Sequence, residues 1–337
     1  MLTSQEKKYD IYGIGAALVD TEITLSDADL TRLSIAKSVM SLVDEERQTY
    51  LIAQLHEHLT RSKRASGGSA ANTIIAASYF GCQNFFSCKV ANDENGHFYL
   101  GDLAAAKVNT ASDQTKENGI TGKCLVLITP DAERTMNTYL GISAHLSEAE
   151  LDLAAAQAAQ FVYIEGYLVT SPSGKQAAIT LKQHAEQYGA KIAISLSDPA
   201  MAQFFRDGLL DIIGNGVDLL FCNQDEALAF TQTQDLDTAC LALRAYAKRF
   251  AITCGAQGAL IFDGQSFITV AAPKVQAIDS NGAGDMFAGA FLYSLCQGES
   301  ETRAGEFACA AAAQVVSQFG PRLRAEQHQA LKTQFWA

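Results

Sequence analysis

The chain has 337 residues, of which 48% are hydrophobic and 18% charged, and its formal net charge is −12. This composition predicts a globular protein with a sizeable core, and the acidic balance argues against nucleic acid or an anionic membrane as a partner. No apolar run approaches the roughly 18 residues of a membrane span and the N-terminus lacks a signal-peptide pattern, so we expect a cytoplasmic protein.

Short apolar runs alternate with longer amphipathic ones along most of the chain. Strand–helix alternation of this kind predicts a mostly parallel sheet with helices on both faces, and ligands of such sheets bind beyond the carboxyl ends of the strands. In chain order we predict strands at 9–15, 84–91, 161–165, 191–196, 217–222 and 249–254, and helices at 69–80, 95–106, 147–158, 173–188 and 235–248.

Two segments interrupt this alternation. Residues 16–66 combine strand-like pieces at 20–25 and 38–43 with a helical pattern at 45–59, and residues 121–141 have the pattern of a hairpin. Because both segments leave the main body and return to it, we expect them to form a small β-rich lid over the cleft. The predicted large α/β body then comprises 1–15, 67–120 and 142–337.

The most informative stretch is 279–287, which reads DSNGAGDMF and precedes an apolar run. Gly282 and Gly284 allow the backbone to turn its N–H groups toward one point, where the N-terminus of the following helix favours an anion. Asp285 is expected to stay ionised there and to accept a proton from an alcohol held beside a phosphate. This combination suits phosphoryl transfer to a hydroxyl, although a well-capped helix start explains GAGD alone.

The same stretch resembles the second signature of the ribokinase-like (PfkB) family of carbohydrate and nucleoside kinases. Residues 67–72, GGSAAN, resemble its first signature, and residues 223–226, NQDE, resemble its NxxE element. Residues 9–20, YDIYGIGAALVD, and 133–141, ERTMNTYLG, resemble the adenosine kinase branch. The resemblance implies a three-layer α/β/α body with a mostly parallel sheet, a small β-rich lid, and an ATP-dependent phosphotransferase with an alcohol group as acceptor.

Several site residues follow from this resemblance. Asp20 matches the family's ribose-binding aspartate, whose carboxylate accepts hydrogen bonds from two vicinal hydroxyls. Arg134 matches the lid arginine that the family aims at the transferring phosphate. The catalytic set is then Asp285 as the base, the amides of Gly282, Ala283 and Gly284 as the anion hole, and Arg134.

Other acceptor candidates rest on residue type and position. Gly67 and Gly68 are expected to let a substrate pass close to the backbone, and Asn72 to offer an amide to a sugar hydroxyl. An ordinary helix N-terminal turn explains these three residues equally well by itself, and the resemblance favours the binding role. Tyr167 or Leu168 packs on the base of an acceptor, and core packing explains these two residues equally well.

The candidates for nucleotide and metal follow strand ends. Asn223 and Glu226 share one strand-to-helix turn, where they suit Mg²⁺ bound through water, while a first-turn helix carboxylate explains Glu226 alone. Residues 253–258, TCGAQG, predict a glycine turn between two strands, which is either a wall for ATP or a plain hairpin. We expect ATP and Mg²⁺ as cofactors and leave a monovalent cation open. The predicted ATP contacts are Asn223, Thr253, Gly255, Gly258 and Asn281.

Other nucleotide-binding motifs do not fit the sequence. A dinucleotide fingerprint that begins at Gly13 needs glycine at the place of Leu18. A phosphate-binding loop that ends at Lys175 needs glycine at the place of Val169. Neither HRD nor DFG occurs, which excludes a protein kinase.

We therefore predict a kinase that transfers the γ-phosphate of ATP to the 5′-hydroxyl of a nucleoside, adenosine first. A kinase of ribose, fructose or a keto-deoxy sugar acid is the second hypothesis, and a catalytically silent nucleotide- or sugar-binding protein is the third. Ala16 stands where the adenosine kinase branch usually has asparagine, which leaves the acceptor open. We expect small-molecule partners, and both a monomer and a homodimer remain open.

Overall fold

The structure, a computed structural model, describes residues 7–37, 39–59, 63–111, 117–131 and 133–337. Parts of the segments predicted above, at 1–6, 38, 60–62, 112–116 and 132, lie outside the described residues. Within the described ranges no helix is both long and apolar enough to cross a membrane.

The strands and helices alternate in chain order over most of the fold. The strands are β1 (Tyr9–Ile14), β2 (Leu18–Thr24), β3 (Met40–Leu42), β4 (Lys63–Gly67), β5 (Asn84–Ser87), β6 (Gly122–Ile128), β7 (Arg134–Tyr139), β8 (Ala159–Glu165), β9 (Lys191–Ser195), β10 (Leu219–Asn223), β11 (Phe250–Thr253), β12 (Ala259–Phe262) and β13 (Phe267–Val270). The helices are α1 (Asp27–Arg32), α2 (Glu45–Gln54), α3 (His56–Leu59), α4 (Ser69–Phe80), α5 (Glu94–Ala105), α6 (Leu153–Gln157), α7 (Pro172–Gln187), α8 (Pro199–Phe204), α9 (Arg206–Ile213), α10 (Gln224–Thr231), α11 (Leu236–Leu243), α12 (Ala283–Cys296), α13 (Glu301–Val316) and α14 (Ala325–Trp336).

Eight strands form the large sheet, in the order β13-β12-β11-β10-β9-β8-β1-β5. The pairs from β5 to β11 are parallel, and β12 and β13 add an antiparallel edge. Because all the parallel strands point the same way, their carboxyl ends meet along one edge of the sheet. That edge is where the predicted cleft lies.

Side chains of the central strands alternate between two buried clusters, one on each face of the sheet. In β1, Ile11 belongs to one cluster and Tyr12 to the other, and in β8 Phe161 and Val162 repeat this alternation. The first cluster takes in α4, α12 and α13, and the second takes in α7, α10 and α11. Helices therefore cover both faces, which confirms the predicted three-layer architecture.

A second sheet of five strands has the order β3-β7-β6-β2-β4. Its strands come from the two segments that interrupt the alternation, and the hairpin predicted at 121–141 is the antiparallel pair of β6 and β7. β4 ends at Gly67, at the border of the first segment. The presence of this small β-rich sheet is confirmed, and the division of the chain into a body and a lid domain stays a prediction.

Three predicted helices differ from the structure. The helix predicted at 147–158 is a 3₁₀ turn, Glu148–Glu150, followed by α6, because the Asp152 side chain caps α6 by accepting from the Ala155 amide. The pattern at 45–59 is divided between α2 and α3, and the helix predicted at 235–248 ends at Leu243. By contrast, the helix predicted at 69–80 is α4 from end to end.

Two helices bring the site together. α4 and α12 both begin at the cleft and pack closely, since a Cβ on Gly289 of α12 would lie 2.6 Å from the Thr73 carbonyl oxygen of α4. Each has a glycine N-cap, Gly68 and Gly282, without a side-chain capping bond. Neither N-cap residue therefore occupies the first-turn amides of its helix, although in α4 the Ala70 amide donates to the Glu165 side chain.

Candidate active site

A cavity of about 640 Å³ lies between the two sheets, at the carboxyl edge of the large one. It collects most of the residues predicted for the site. The predicted residues that line it are Asp20, Gly68, Asn72, Arg134, Tyr167, Leu168, Asn223, Glu226, Thr253, Gly255, Asn281, Gly282, Ala283, Gly284 and Asp285. Gly67 and Gly258 are not among the lining residues.

The N-terminus of α12 forms an anion cradle. Gly282 has φ of +72°, and a Cβ there would lie 2.1 Å from the Pro321 carbonyl oxygen, so the position needs glycine. A Cβ on Gly284 would meet nothing within 4 Å, which leaves the first turn open toward the cavity. The first amides of a helix have no carbonyl partner within it, and this end carries partial positive charge. The cradle therefore fits the phosphate groups of a nucleotide.

Asp285 lies in that first turn and is fixed by two side chains of α4. Its Oδ1 accepts a hydrogen bond from Ser69 Oγ at 2.6 Å, and its Oδ2 accepts one from Asn72 Nδ2 at 3.0 Å. Burial raises the pKa of Asp285 to about 6, against the opposing effect of these bonds and of Arg322. The carboxylate is ionised at neutral pH, as expected, but the surroundings raise its pKa because loss of hydration outweighs the favourable groups.

Asp20 of β2 is buried, with 8% of its surface exposed, and borders the same cavity. Its carboxylate lies directly against Gly67, where a Cβ would be 2.2 Å from the carboxyl atoms. Among the described residues no group donates a hydrogen bond to it. Burial raises the pKa of Asp20 to about 7. A buried carboxylate without a protein donor is suited to accept bonds from a ligand.

Asn223 and Glu226 form a capping box at the start of α10. Asn223 Oδ1 accepts from the Glu226 amide at 2.8 Å, and the Glu226 carboxylate accepts from the Asn223 amide at 3.0 Å and from Asn223 Nδ2 at 2.7 Å. Burial raises the pKa of Glu226 to about 8. The helix-start explanation of Glu226 is therefore correct, and a metal role has to act in addition to it.

The donor set limits how a metal is bound. Among the described residues, no group of three or more His, Cys, Asp or Glu side chains is arranged to hold an ion. Mg²⁺ keeps much of its hydration in nucleotide sites and takes one or two carboxylates with the phosphates. A single carboxylate such as Glu226 at the cavity wall fits an ion bound through water, and the predicted metal role of Asn223 and Glu226 stays a prediction.

Arg134 of β7 is engaged by carboxylates on both sides of the cavity. Its guanidinium bonds Asp279, which begins the glycine-rich stretch, and Glu22 at 3.4 Å. Asp279 also accepts from the amides of Gly320 at 2.7 Å and Asn281 at 3.0 Å. The prediction that Arg134 faces a transferring phosphate stays a prediction. The sequence analysis did not single out its partner Asp279.

The turn predicted at 253–258 is a strand, a 3₁₀ turn and a strand. Thr253 ends β11 and lines the cavity with Gly255. Gly258 has φ of +104°, and a Cβ there would be 1.9 Å from the Val270 carbonyl oxygen. Gly258 thus shapes the hairpin rather than bordering the cavity, whereas Thr253 and Gly255 line it, and their predicted contact with ATP stays a prediction.

The cavity also has an apolar wall, of which the sequence analysis predicted only a part. Tyr167 and Leu168, on the 3₁₀ helix Gly166–Thr170, were predicted and line the cavity. Opposite the body, the small sheet and its flanks add Leu18, Met40, Leu42, Met136 and Leu140. In the sequence these residues have the same apolar pattern as residues of the hydrophobic core, so nothing in their local sequence indicates that they line a cavity.

Glu165, at the end of β8, is a second buried carboxylate of the cavity that received no role above. It accepts a hydrogen bond from the Ala16 amide at 3.3 Å and one from the Ala70 amide, in the first turn of α4, at 2.7 Å. Burial raises the pKa of Glu165 to about 7. At Ala16, where the branch usually has asparagine, the backbone amide is thus bound by Glu165.

Fold and site together define an α/β protein with a helix N-terminus open to a cavity, a buried carboxylate in its first turn and a partly apolar wall, an arrangement that suits a phosphotransferase. The chain belongs to the pfkB family of carbohydrate kinases, whose family model matches residues 33–328. This confirms the resemblance noted in the sequence.

Known proteins of this family are similar over nearly the whole chain. The adenosine kinase of Saccharomyces cerevisiae is 27% identical over 334 residues, which cover 93% of this chain and 96% of that protein. A probable sugar kinase protein from Rhizobium etli CFN 42 has a structure with a TM-score of 0.91, 33% identity, and coverage of 97% of this chain and 99% of that chain. The structure of the adenosine kinase from Sinorhizobium meliloti has a TM-score of 0.90 and 31% identity, and the match covers 97% of this chain and 99% of that chain.

Proposed function

We propose that the protein transfers the γ-phosphate of ATP to the 5′-hydroxyl of a nucleoside, with adenosine as the first candidate. The observation that carries this proposal is the buried Asp20 carboxylate, which accepts no hydrogen bond from the described residues and lies beside an apolar wall in the cavity that also contains Asp285. The hydroxyls of a ribose ring donate hydrogen bonds to this carboxylate, and a flat base packs against the apolar wall.

The character of the acceptor pocket favours a nucleoside over a free sugar. A free sugar carries hydroxyls around most of its ring and needs several polar partners, whereas Leu18, Met136 and Leu140 give this wall an apolar surface that suits a flat base. Arg134 is the only Lys or Arg among the described lining residues, and Glu22 and Asp279 already bind it. This speaks against a sugar acid, whose carboxylate needs a free cation.

The residues divide the proposed reaction among them. Asp20 accepts hydrogen bonds from two vicinal hydroxyls of the acceptor and so points its 5′-hydroxyl at Asp285. Ser69 and Asn72 hold the Asp285 carboxylate, which accepts the proton of that hydroxyl. The amides at Gly282, Ala283 and Gly284 donate to the oxygens on which negative charge develops.

The remaining residues serve the cofactors. When bound, ATP supplies the phosphoryl group and Mg²⁺ offsets its charge. We assign the nucleotide wall to Asn223, Thr253, Gly255 and Asn281, and we assign Glu226 to the water shell of the metal. Arg134 adds positive charge at the phosphate once it leaves part of its present ion pair, and the small sheet excludes water from the reacting groups.

A sugar kinase is the second candidate, and the similarity to the probable sugar kinase protein from Rhizobium etli CFN 42 supports it. The two candidates share the whole phosphate half of the site and differ in the acceptor pocket. A silent binding protein is the weakest alternative, because Asp285 and its two hydrogen-bonding partners are in place.

The direct test is ATP consumption by purified protein with a panel of nucleosides, ribose, fructose and a keto-deoxy sugar acid. We expect a purine nucleoside to give the highest rate. Greater use of a free sugar than of every nucleoside would replace the proposal by the sugar kinase. No consumption with any acceptor would support the silent protein.

A further inference from the structure

Arg322 is a largely buried cation that belongs to none of the sequence motifs. It follows Pro321, whose carbonyl packs on Gly282, in the segment before α14. Its Nη2 donates to Asp102 Oδ2 at 3.0 Å and its Nη1 donates to Ser66 Oγ at 3.2 Å, with 13% of the side chain exposed. The guanidinium is thus anchored at a fixed place behind the cavity.

That place adjoins Asp20. Ser66, which Arg322 binds, precedes Gly67, and the Asp20 carboxylate lies flat against Gly67. Asp102 also accepts from the amide and the hydroxyl of Ser66, so one network fixes the end of β4. The cation and the acceptor-binding carboxylate therefore contact two consecutive residues of one strand.

The charges around Asp20 leave Arg322 as its main stabiliser. Burial has the largest effect on the pKa of Asp20 and raises it, and the nearby carboxylates Glu22 and Asp285 raise it further. Two cations lower this pKa, Arg322 more than Arg134. Arg134 bonds two carboxylates, Glu22 and Asp279, while the described partners of Arg322 include one carboxylate, Asp102. The charge of Arg322 is therefore offset by fewer bound carboxylates than that of Arg134, so the net field of Arg322 at Asp20 is the stronger one.

We propose that Arg322 is a positioning residue of the acceptor site, whose anchored charge keeps the Asp20 carboxylate ionised so that it accepts the acceptor's hydroxyls. This inference rests on the proposed function, because it takes Asp20 as the group that binds the acceptor. Arg322 itself touches neither the acceptor nor the reacting atoms. Its effect is on acceptor affinity rather than on the chemical step.

The sign of the pH effect follows from this role. An ionised carboxylate accepts bonds from both hydroxyls, so acceptor affinity in the wild type rises with pH through the pKa of Asp20, which is about 7. Arg322→Gln removes the opposing cation and shifts the midpoint upward by about one pH unit or more. At neutral pH the ionised fraction falls, and KM for adenosine rises roughly five- to tenfold with kcat nearly unchanged.

Recovery at high pH separates charge from structure. In Arg322→Gln, KM should return toward the wild-type value near pH 9, about two units above the wild-type midpoint, because Asp20 ionises there without help. Three variants serve as controls. Arg322→Lys keeps the charge. Asp102→Asn removes the carboxylate that anchors Arg322 but keeps the cation. Arg249→Gln breaks an ion pair with Glu301 that is buried to a similar degree and lies elsewhere in the fold.

A measurement without turnover distinguishes failure of this inference from failure of the proposed function. In protein labelled with ¹³C at aspartate carboxyl groups, the signal lost in Asp20→Asn reports the titration of Asp20 in each variant. We expect an upward shift in Arg322→Gln and none in Arg249→Gln or Arg322→Lys. If Arg322→Gln does not fold, Arg322→Lys and Asp102→Asn decide between charge and tether. The inference predicts an unshifted midpoint in Arg322→Lys and no upward shift in Asp102→Asn, which removes a carboxylate and keeps the cation.

The inference is wrong if the Asp20 midpoint of Arg322→Gln equals that of the wild type, or if Asp102→Asn reproduces its shift. In the second case the tether, not the charge, sets the state of Asp20. If no nucleoside is phosphorylated, the proposed function fails while the titration still decides the role of Arg322.

Discussion

The two parts of the cavity that we propose for the phosphates and for the acceptor, called here the phosphate half and the acceptor half, are built in different ways. The phosphate half is built mainly on the first turns of two helices, and its longest contiguous stretch runs from Ser280 to Asp285. The acceptor half is assembled from β2, β3, β7 and the 3₁₀ helix Gly166–Thr170, far apart in the chain. The first half is fixed by backbone geometry, and the second depends on how two sheets meet.

This difference has consequences for mutation. In the phosphate half, small changes should remove catalysis with little effect on acceptor binding. In the acceptor half, changes should alter the choice of substrate while the chemistry remains.

The largest effect is expected at the base of the phosphate half. Asp285→Asn removes the proton acceptor and should lower kcat by about 10²–10⁴-fold, with ATP affinity nearly unchanged. Steady-state kinetics and a nucleotide-binding titration measure the two effects. Asp207→Asn, in the first turn of α9, is the control and should leave kcat unchanged. Near wild-type turnover in Asp285→Asn would remove Asp285 from the mechanism.

Two glycine substitutions distinguish a glycine that the backbone conformation requires, Gly282, from one that keeps the cradle open, Gly284. Gly284→Ala places a methyl group in open space within the cradle, so it should lower kcat/KM for ATP roughly tenfold or more while stability is kept or raised by about 0.5–1 kcal/mol. Gly282→Ala forces a residue with φ of +72° against Pro321 and should cost about 1–3 kcal/mol of unfolding free energy.

Chemical denaturation and ATP kinetics on both variants check this pair. The account predicts opposite profiles, an active-site defect in a stable protein for Gly284→Ala and a stability defect for Gly282→Ala. Equal loss of stability in both would show that the first turn of α12 is strained throughout.

The stability of the phosphate half should depend on pH. Folding raises the pKa of Asp285 from 3.8 to about 6, so the native state binds this proton more tightly and the ionised carboxylate costs stability above that window. Asp285→Asn should therefore raise the unfolding free energy at neutral pH by about 1–3 kcal/mol, a difference that disappears below about pH 4. Denaturation at several pH values measures it, and a variant less stable than the wild type would show that the bonds from Ser69 and Asn72 outweigh burial.

The smallest effect concerns the metal. Burial raises the pKa of Glu226 to about 8, and a bound Mg²⁺ favours its ionised form, so Glu226→Gln removes the charge that the metal gains on binding. The concentration of Mg²⁺ for half-maximal rate should rise roughly fivefold, or by about 1 kcal/mol, with acceptor KM nearly constant. Asp225→Asn, exposed in the same turn of α10, is the matched control. An unchanged Mg²⁺ titration in Glu226→Gln would leave Glu226 with its capping role alone.

How far the sequence predicted the molecule follows the same division. α4, with its preceding glycines, was predicted to the residue because its apolar pattern and its boundaries agree locally. Ser69 was missed as a partner of Asp285, although it stands inside the GGSAAN motif and its hydroxyl was a visible donor. In these cases the information was local, and it was present in the sequence.

The remaining features depend on tertiary contacts. Nothing in the sequence around Met40 or Leu140 separates a ligand-facing side chain from a core one, because that depends on the gap between the sheets. Arg322 lies 302 positions after Asp20 in the chain, the difference between their residue numbers, and only the packing of the segment before α14 brings the two together. The raised pKa of Asp285 likewise required the burial to be known.

The comparison that tests the central claim most directly is kcat/KM for adenosine, its 2′-deoxy and 3′-deoxy analogues, ribose and fructose, in the wild type and in Asp20→Ala. Loss of one hydroxyl leaves the Asp20 carboxylate with a missing donor, at a cost of about 1.5–3 kcal/mol, so adenosine should exceed each deoxy analogue by roughly ten- to a hundredfold. Asp20→Ala should lose most activity and most of that preference. Equal use of adenosine and its deoxy analogues by the wild type, or better use of a free sugar, would contradict the account.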